Sequence, residues 1–307
     1  MSKIKAAEQL MRAFVSRTGL EPASSTPRRY LWTDAFAVCN LLTLHHHERD
    51  GNEYIGLARK LVDQVHHTLG RHRPDDALEG WLSGLSEEEG AAHPTKGGLR
   101  IGKSLPERQP DESPDQDLEW DQDGQYFHYL TKWMHALAAM YRETREVRHL
   151  TWAIELAKAV HPRFTHSGGT RMYWKMSVDL SRPLVSSMGQ HDALDALVTY
   201  SALRVAAHEA ALTPDLDLNA EIADAARMCS RGLVGEQVDG NGQTRFKKRE
   251  HMLREVEKLR QHEALADRIE EFWMEEDNRN AKSWMGHEDI NAVMLATTLS
   301  PDAFLEI

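Results

Sequence analysis

The sequence predicts an all-α protein in which inner helices form a ring that outer helices wrap, an architecture called an α/α toroid. Three observations predict it. Apolar residues recur at helical spacing along most of the chain, strand-like alternation is almost absent, and helices that are apolar nearly all round alternate with helices that carry one apolar stripe. A helix of the first kind is buried on several sides and one of the second kind lies at the surface, so two layers satisfy both.

Apolar periodicity predicts nine helices, at residues 3–18, 30–48, 52–69, 121–142, 146–161, 188–209, 217–233, 247–274 and 285–299. In the third helix, Tyr54, Leu57 and Leu61 fall on one stripe, the pattern of a helix that buries a single face. Two long stretches without this pattern, 71–119 and 163–187, are predicted to be loops. Loops of that length inside a compact domain are often functional, so 71–119 is a candidate to cover an active site.

A weak internal repeat supports the ring. Four segments open with polar, acidic or histidine residues and continue into a largely apolar helix: YLWTDAFAVCNLLTL at 30–44, DGQYFHYLTKWMHAL at 123–137, GQHDALDALVTYSAL at 189–203 and GHEDINAVMLATTL at 286–299. The inner helices of a toroid all point the same way, so their N-terminal ends, which carry free N–H groups and positive dipole ends, meet on one face. The polar openings of the four repeats are therefore expected to lie together.

The alternation of helices and the openings around Asp34, Asp123, His191 and His287 carry a resemblance at the level of the fold. Over most of its length the chain resembles the six-hairpin α/α-barrel superfamily, which includes many glycoside hydrolases, unsaturated-glycuronyl hydrolases and sugar 2-epimerases. This resemblance implies a barrel of helical hairpins with a carbohydrate site at the N-terminal ends of the inner helices. We expect one domain that spans residues 1–307.

Composition and charge exclude several classes of protein. The 307 residues include 37 Lys and Arg against 48 Asp and Glu, a net charge of −11, and 41% are hydrophobic. Such an apolar content excludes a disordered chain. The acidic balance gives no attraction to phosphate backbones, so no nucleic-acid partner is expected. No segment reaches the roughly 18 consecutive apolar residues of a membrane helix, so no membrane partner is expected either.

The N-terminal segment and the cysteines indicate a cytoplasmic protein. Residues 1–19 contain no uninterrupted apolar core of a signal peptide and are predicted to form the first helix. Cys39 and Cys229 are far apart and form no CxxC pair, as expected of reduced thiols. No metal or other cofactor is expected, because the adjacent histidines at 45–47 and 66–67 point in different directions on a helix. The oligomeric state stays open.

The polar openings supply the candidate catalytic residues, which are Asp34, Asp123, His191, Asp192, His287 and Glu288. An acid at a helix start often serves only as a cap. The Gly-Gln-His-Asp opening at 189–192 and the Gly-His-Glu-Asp opening at 286–289 match, however, and this recurrence favours a functional role. His191 also precedes Asp195 by four positions, and a neighbouring carboxylate raises the pKa of a histidine, which suits a general acid.

Aromatic and polar residues near the same openings supply candidates for sugar binding, since flat rings stack on the C–H face of a sugar and amides and carboxylates bond to its hydroxyls. These candidates are Trp32, Trp120, Gln125, Tyr126, His128, Tyr173, Trp174, Lys175, Gln190, Asp195, Trp284 and Asn291. The structural alternative for each is capping or core packing. The loop at 98–108 adds three cations that could bind a carboxylate or a phosphate.

Three functions fit these residues. The first is a glycoside hydrolase, which needs a protonated carboxyl group and a second carboxylate and acts on a small carbohydrate substrate. The second is a sugar isomerase or epimerase, in which His128, His191 and His287 would move a proton between the two sides of the ring. The third is a helical scaffold that binds glycans without catalysis, which predicts that the helix openings do not converge or that they converge on a site without acids of raised pKa.

Overall fold

The computed structural model describes residues 2–47, 51–187, 189, 191–234, 257–258, 260 and 262–305. This part of the chain is mostly helical, which confirms the all-α expectation. The helices are α1 (Lys3–Arg17), α2 (Leu31–His47), α3 (Glu53–Leu69), α4 (Glu87–Ala92), α5 (Gln116–Asp121), α6 (Phe127–Thr144), α7 (Val147–Phe164), α8 (Asp192–Glu209), α9 (Asn219–Val234), α10 (Glu263–Met274), α11 (Lys282–Met285), α12 (Glu288–Leu299) and α13 (Asp302–Leu305). Short 3₁₀ turns occupy Pro214–Leu216 and Glu276–Asn280.

Four long helices pack side by side in the order α12, α2, α6, α8. Outside this row, α1 packs on α12 and α2, α3 packs on α2, α7 packs on α6 and α8, and α9 packs on α8. Burial follows the sequence: in α2 every residue from Leu31 to Leu44 except Trp32 is buried, whereas α3 buries one stripe. The nearly apolar helices are thus central and the amphipathic ones lie outside.

Helix α8 departs from this rule. Its buried residues form one stripe, Asp192, Ala193, Ala196, Tyr200 and Leu203. Leu194, Val198 and Val205 of the same helix are exposed. One face of a helix that is rich in apolar residues therefore lies at the surface.

Short strands occupy the segment between α7 and α8, together with two residues before α6. β1 (Gln125–Tyr126), β4 (Lys175–Met176) and β5 (Pro183–Val185) form an antiparallel sheet in the order β1-β4-β5. β2 (Thr165–His166) and β3 (Arg171–Met172) form a hairpin. The predicted loop at 163–187 is thus partly strand, and it carries Trp174 beside the start of α6.

Helix α6 begins at Phe127, six residues later than the predicted start at residue 121. Gly124 has a φ of +147°, a backbone conformation that residues with a Cβ rarely adopt. The chain turns there and pairs as β1 before the helix starts. Residues 121–126, which we expected at the start of this helix, instead form the end of α5, the turn at Gly124 and strand β1.

The predicted loop at 71–119 contains α4 and α5 and packs on the helices. Its residues 98–104 are anchored near the start of α6: the N–H of Ile101 donates to the carbonyl of Gly124, and the guanidinium of Arg100 donates to the carboxylate of Asp123. This stretch forms one wall of a cavity described below. None of the described helices is long and apolar enough to cross a membrane.

Candidate functional site

Aromatic rings from four segments meet at the N-terminal ends of α2 and α6. We call Trp32, Tyr126, His128, Tyr129 and Trp174 the aromatic cluster. Its neighbouring ring centroids lie between 4.8 and 6.0 Å apart, and the rings of His128 and Trp174 are stacked with an interplanar angle of 12°. The five rings come from four places: the start of α2, strand β1, the start of α6, which supplies both His128 and Tyr129, and the residue before β4. The cluster therefore depends on the packing of these elements.

Trp120 extends the aromatic cluster toward solvent. Its ring meets Trp174 edge-to-face at 5.0 Å, and 54% of the residue is exposed. A half-exposed indole beside packed rings leaves an apolar face on which a ligand could stack. Trp120 and Trp174 were both expected to bind substrate, and the structure brings them together.

Asp192 lies beside the aromatic cluster at the first turn of α8. It is 1% exposed, its Oδ2 accepts a hydrogen bond from the N–H of Gly189 at 3.0 Å, and its Oδ1 is 3.9 Å from Nδ1 of His128. The pKa of the Asp192 carboxyl group is raised to about 6, mainly by burial and in part by the nearby Asp195, against the lowering effect of the Gly189 N–H. Asp192 is thus a carboxyl group that can hold a proton near neutral pH.

His128 stays neutral beside it. Burial lowers the pKa of the imidazole to about 4, and the ammonium of Lys132 lowers it as well, although Asp195 raises it. Its Nδ1 is buried and has no hydrogen-bond partner among the residues that the structure describes. The 3.9 Å separation from Asp192 is too long for a hydrogen bond, and catalytic hydrogen bonds are often long before a substrate binds.

A second carboxylate lies one turn further along α8. Asp195 accepts a hydrogen bond from Nζ of Lys132 at 3.2 Å, which joins α8 to α6. Both side chains are about one quarter exposed. Asp192 and Asp195 therefore have different surroundings, one buried among rings and the other paired with a cation at the surface.

Asp123 was expected to be catalytic, but its contacts assign it a structural role. It is fully buried, its Oδ2 binds Arg100, and its Oδ1 accepts the N–H groups of Gly102 and Lys103. These bonds use the carboxylate to hold residues 100–103 against the start of α6. The structural alternative, in which Asp123 caps its own helix, also differs from what is seen, because the carboxylate binds the loop at residues 100–103.

Gln125 and Lys175 were expected to contact substrate, and both are fully buried. The Gln125 side chain accepts the N–H of Leu99 and donates to the carbonyls of Gly97 and Val178. Nζ of Lys175 donates to the carbonyl and carboxylate of Glu119 and to the carbonyl of Gln122. All their strong bonds are internal, so both residues position the chain around the aromatic cluster.

The carboxylate of Asp34 likewise binds groups inside the fold. Its Oδ2 accepts the N–H of Tyr30 at 2.9 Å, and its Oδ1 is 3.2 Å from Nη1 of Arg29. Burial raises the pKa of Asp34 to about 6 although Arg29 lowers it. The backbone bond at the helix start corresponds to the capping alternative.

A cavity of about 570 Å³ separates Asp34 from the start of α12. Its wall includes Arg28, Arg29, Tyr30, Asp34, Lys103 and His287. Tyr30 also connects this cavity to the aromatic cluster, because its hydroxyl lies 2.7 Å from that of Tyr129. The stretch at 98–104, which lines this cavity, therefore lies on the same side of the molecule as the aromatic cluster.

The candidates on and before α12 lie across this cavity and not in the aromatic cluster. His287 is exposed, and Glu288 pairs with Arg17 at 3.0 Å. Trp284 is buried against Trp273, with ring centroids 5.0 Å apart, so its faces pack internally. Asn291 donates to the backbone carbonyls of Trp284 and Ser283. The matching openings at 189–192 and 286–289 thus have different environments.

Three further candidates remain. His191 is exposed just before α8 and lies near Asp192. Tyr173 stacks on His166 at 4.2 Å, because adjacent residues of an extended chain point in opposite directions and Trp174 faces the cluster. Gln190 lies outside the described residues.

Three residues at or beside the site were not among the candidates predicted from the sequence: Tyr129, Tyr30 and Lys132. Lys132 follows His128 by four positions, so helical spacing alone places both on one face of α6 and was the available signal. Tyr129 lies in the polar-aromatic stretch at 119–129 and could have been added to it. Tyr30 precedes α2, and no local pattern distinguishes it from a residue that packs in the core.

Within the described ranges, no group of three or more His, Cys, Asp or Glu side chains is arranged to hold a metal ion. A scan against protein-family models found no match to the chain, and neither did a search of curated proteins or a search of solved structures. The residues of the site are therefore the basis for assigning a function.

Proposed function

We propose that this protein is a carbohydrate-active enzyme of the glycoside hydrolase type, with Asp192 as its proton donor. The observation that carries the proposal is a buried carboxyl group, with a pKa raised to about 6, beside stacked aromatic rings at the start of neighbouring helices. Cleavage of a glycosidic bond needs an acid that is still protonated when a second carboxylate is ionised. Asp192 meets the first requirement, and Asp195 is the nearest candidate for the second.

The two carboxyl groups would divide the reaction as follows. Asp192 gives its proton to the glycosidic oxygen as the bond from this oxygen to the anomeric carbon breaks, and the departing sugar leaves as an alcohol. Asp195 either attacks the anomeric carbon itself, forming a glycosyl ester that a water molecule then cleaves while the ionised Asp192 accepts a proton from that water, or takes a proton from a water molecule that attacks the anomeric carbon. The direct attack requires the two carboxyl groups to lie about 5–5.5 Å apart and the attack by water about 6.5–9.5 Å, so the configuration of the released sugar distinguishes the two routes.

The aromatic cluster would hold the sugar. Trp120 is exposed and Trp174 is partly exposed, so their rings offer faces to the C–H groups of a pyranose. His128 contributes a buried Nδ1 that has no partner within the described part of the chain and would bind a sugar hydroxyl. The isomerase alternative is less well supported, because His287 lies across the 570 Å³ cavity and not opposite His128.

We also propose that α12, α2, α6 and α8 are inner helices of an α/α toroid of the six-hairpin kind. Support comes from the outer positions of α1, α3, α7 and α9 and from the meeting of Trp32, His128 and Asp192, which lie at the starts of three adjacent inner helices. N-terminal ends that meet on one face are the property that distinguishes such a toroid from an up-and-down bundle.

The test is release of reducing sugar from a panel of oligosaccharides and aryl glycosides by the wild type and by Asp192→Asn. Loss of a general acid lowers kcat by about 10²–10⁴-fold, and we expect that loss with little change in KM. Asp215→Asn, at an exposed acid far along the chain from the site, is the matched control and should keep full activity. Unchanged turnover by Asp192→Asn would contradict the proposal, and so would the absence of cleavage across the panel.

A further inference from the structure

The cavity of about 570 Å³ between the starts of α2 and α12 has no part in the proposed reaction. A volume of this size lies within the range of cavities that bind small molecules. Since such cavities select their ligands by a few polar groups, the charges and hydrogen-bonding groups of the wall indicate what kind of molecule fits.

The carboxylates of this wall already have cationic partners. Oδ1 of Asp34 lies 3.2 Å from Nη1 of Arg29. Glu288 and Asp289 both pair with Arg17, at 3.0 and 2.9 Å. These acids are therefore neutralised inside the protein and leave little negative charge to attract a cation.

Lys103 is the cation of the wall that has no acidic partner within the described residues. Its ammonium lies over the ring of Tyr30, 5.5 Å from the ring centroid, and the residue is partly exposed. Arg100, in the same loop at 98–108, differs because its guanidinium binds the buried Asp123. The loop thus presents one unpaired positive charge to the cavity, in a protein whose net charge is −11.

Two buried side chains of the wall also lack hydrogen-bond partners in the part of the chain that the structure describes. They are Arg29 at Nε and Thr33 at Oγ1, and the two residues are 4% and 2% exposed. Buried polar groups are nearly always hydrogen-bonded, so each exception needs an explanation. A guanidinium nitrogen can only donate and a hydroxyl can donate, so what this wall lacks is an acceptor.

An oxyanion supplies that acceptor. The oxygens of a carboxylate or a phosphate accept hydrogen bonds and attract an ammonium, and such charge-assisted bonds are stronger than neutral ones. Phe14, Leu69 and Ile290 form an apolar part of the same wall. The anionic group can therefore belong to a larger organic molecule.

We propose that this cavity binds a small organic molecule through a carboxylate or phosphate group. The Lys103 ammonium pairs with the anionic group, and Thr33 and Arg29 donate hydrogen bonds to it. The inference does not depend on the carbohydrate reaction, because none of these three residues belongs to the aromatic cluster or to the proposed pair of catalytic acids.

Nuclear magnetic resonance titration of the full chain in low-salt buffer tests the proposal, with inorganic phosphate and benzoate as the two added anions. We expect saturable shifts of the amide signals of residues 29–34 and 102–104 with at least one of them. Lys103→Met should weaken its binding about 10–100-fold, the effect of losing a charge-assisted bond, while Lys103→Arg should recover most of the affinity. Thr33→Val, which keeps the shape and removes the hydroxyl, should weaken binding about 2–10-fold.

Lys5→Met is the matched control. Lys5 is an exposed lysine near the start of α1, far along the helix from Arg17, so the variant should bind both anions as the wild type does. Shifts with phosphate alone would assign a phosphate-bearing ligand to the cavity, and shifts with benzoate alone would assign a carboxylate-bearing one.

Three results would overturn the proposal: no saturable shift with either anion up to about 10 mM, well above a Kd of about 1 mM; a Lys103→Met variant that binds as tightly as the wild type; or an equal loss of affinity in Lys5→Met. The spread of the amide signals shows whether each variant is folded. If Lys103→Met is not, Lys103→Gln repeats the titration with a polar side chain that carries no charge.

Discussion

Asp192 and Asp195 lie three positions apart on α8 in opposite surroundings. One is buried beside aromatic rings, and the other binds the ammonium of Lys132 at the surface. Pairs of acids whose environments differ in this way divide the roles of proton donor and charged partner. The proposed chemistry therefore depends on the burial of a single side chain.

The same burial predicts how stability changes with pH. The folded protein keeps the Asp192 proton up to about pH 6, while the unfolded chain releases it near the ordinary aspartate pKa of about 3.9. The contribution of Asp192 to the stability of the wild type therefore falls as pH rises from about 4 to about 6, because the buried group must ionise. We expect Asp192→Asn to be more stable than the wild type by about 1–3 kcal/mol at pH 7 and to lose this advantage near pH 4.

Urea unfolding at both pH values measures the difference. Asp34 also has a raised pKa, but it is present in both proteins and does not affect the comparison. Asp215→Asn serves as the exposed control, with the same stability as the wild type at either pH. Two results would show that this carboxyl group is not held in the protonated form. One is an Asp192→Asn variant that is less stable than the wild type at pH 7, and the other is a variant whose free energy of unfolding differs from that of the wild type by the same amount at both pH values.

Residue types alone could not separate the binding candidates from the structural ones. Asp123, Gln125 and Lys175 are the kinds of residue that bind sugars, and they lie in or near the polar-aromatic stretches that indicated a site. Their carboxylate, amide and ammonium groups instead bind backbone atoms that are far away in sequence. Only long-range contacts reveal this use, whereas Trp120 and Asp192 became candidates through their places at predicted helix starts and Trp174 through its place in the long loop before α8.

At the scale of elements, the aromatic cluster depends on the contact between two short elements, strand β4 and helix α5. Strand β4 carries Lys175 beneath α5, and the Lys175 ammonium binds three oxygens of Glu119 and Gln122 at 2.7–2.9 Å. Trp120 lies between these two residues and Trp174 precedes the lysine. The contact between the two indoles thus rests on a buried ammonium.

We expect Lys175→Met to lower the free energy of unfolding by about 2–4 kcal/mol, because several charge-assisted bonds are lost and the buried Glu119 loses one of its cations while it keeps Arg108. Amide hydrogen exchange should become faster at residues 116–124 while α6 and α7 keep their protection. Lys60→Met, which removes an exposed pair with Glu21, is the matched control and should cost less than about 1 kcal/mol. Unchanged exchange in α5 would show that the lysine does not anchor it.

Helical periodicity predicted the long helices well and their boundaries less well. α2 and α3 begin and end within two residues of the predicted 30–48 and 52–69. α6 starts late because Gly124 turns the chain and β1 pairs with β4, and a partner strand some fifty residues away leaves no local signal. Of the predicted helix at 247–274, the structure describes α10 and scattered residues before it.

At the scale of the whole molecule, the two layers follow from composition and pattern. Helices that are apolar all round had to be central, and α2, α6 and α12 are. α8 has the same composition but leaves Leu194, Val198 and Val205 at the surface, which periodicity could not predict because exposure depends on what packs beside the helix. Some of the acidic residues behind the net charge of −11 lie where four helices start, and these residues have different surroundings there.

The most direct measurement is a crystal structure of Asp192→Asn soaked with a glycoside that the wild type cleaves. The account predicts a sugar ring stacked on Trp120 or Trp174, with the glycosidic oxygen within hydrogen-bond distance of the residue 192 side chain. A sugar seated instead in the 570 Å³ cavity against Asp34 and Glu288, with the aromatic cluster empty, would contradict it.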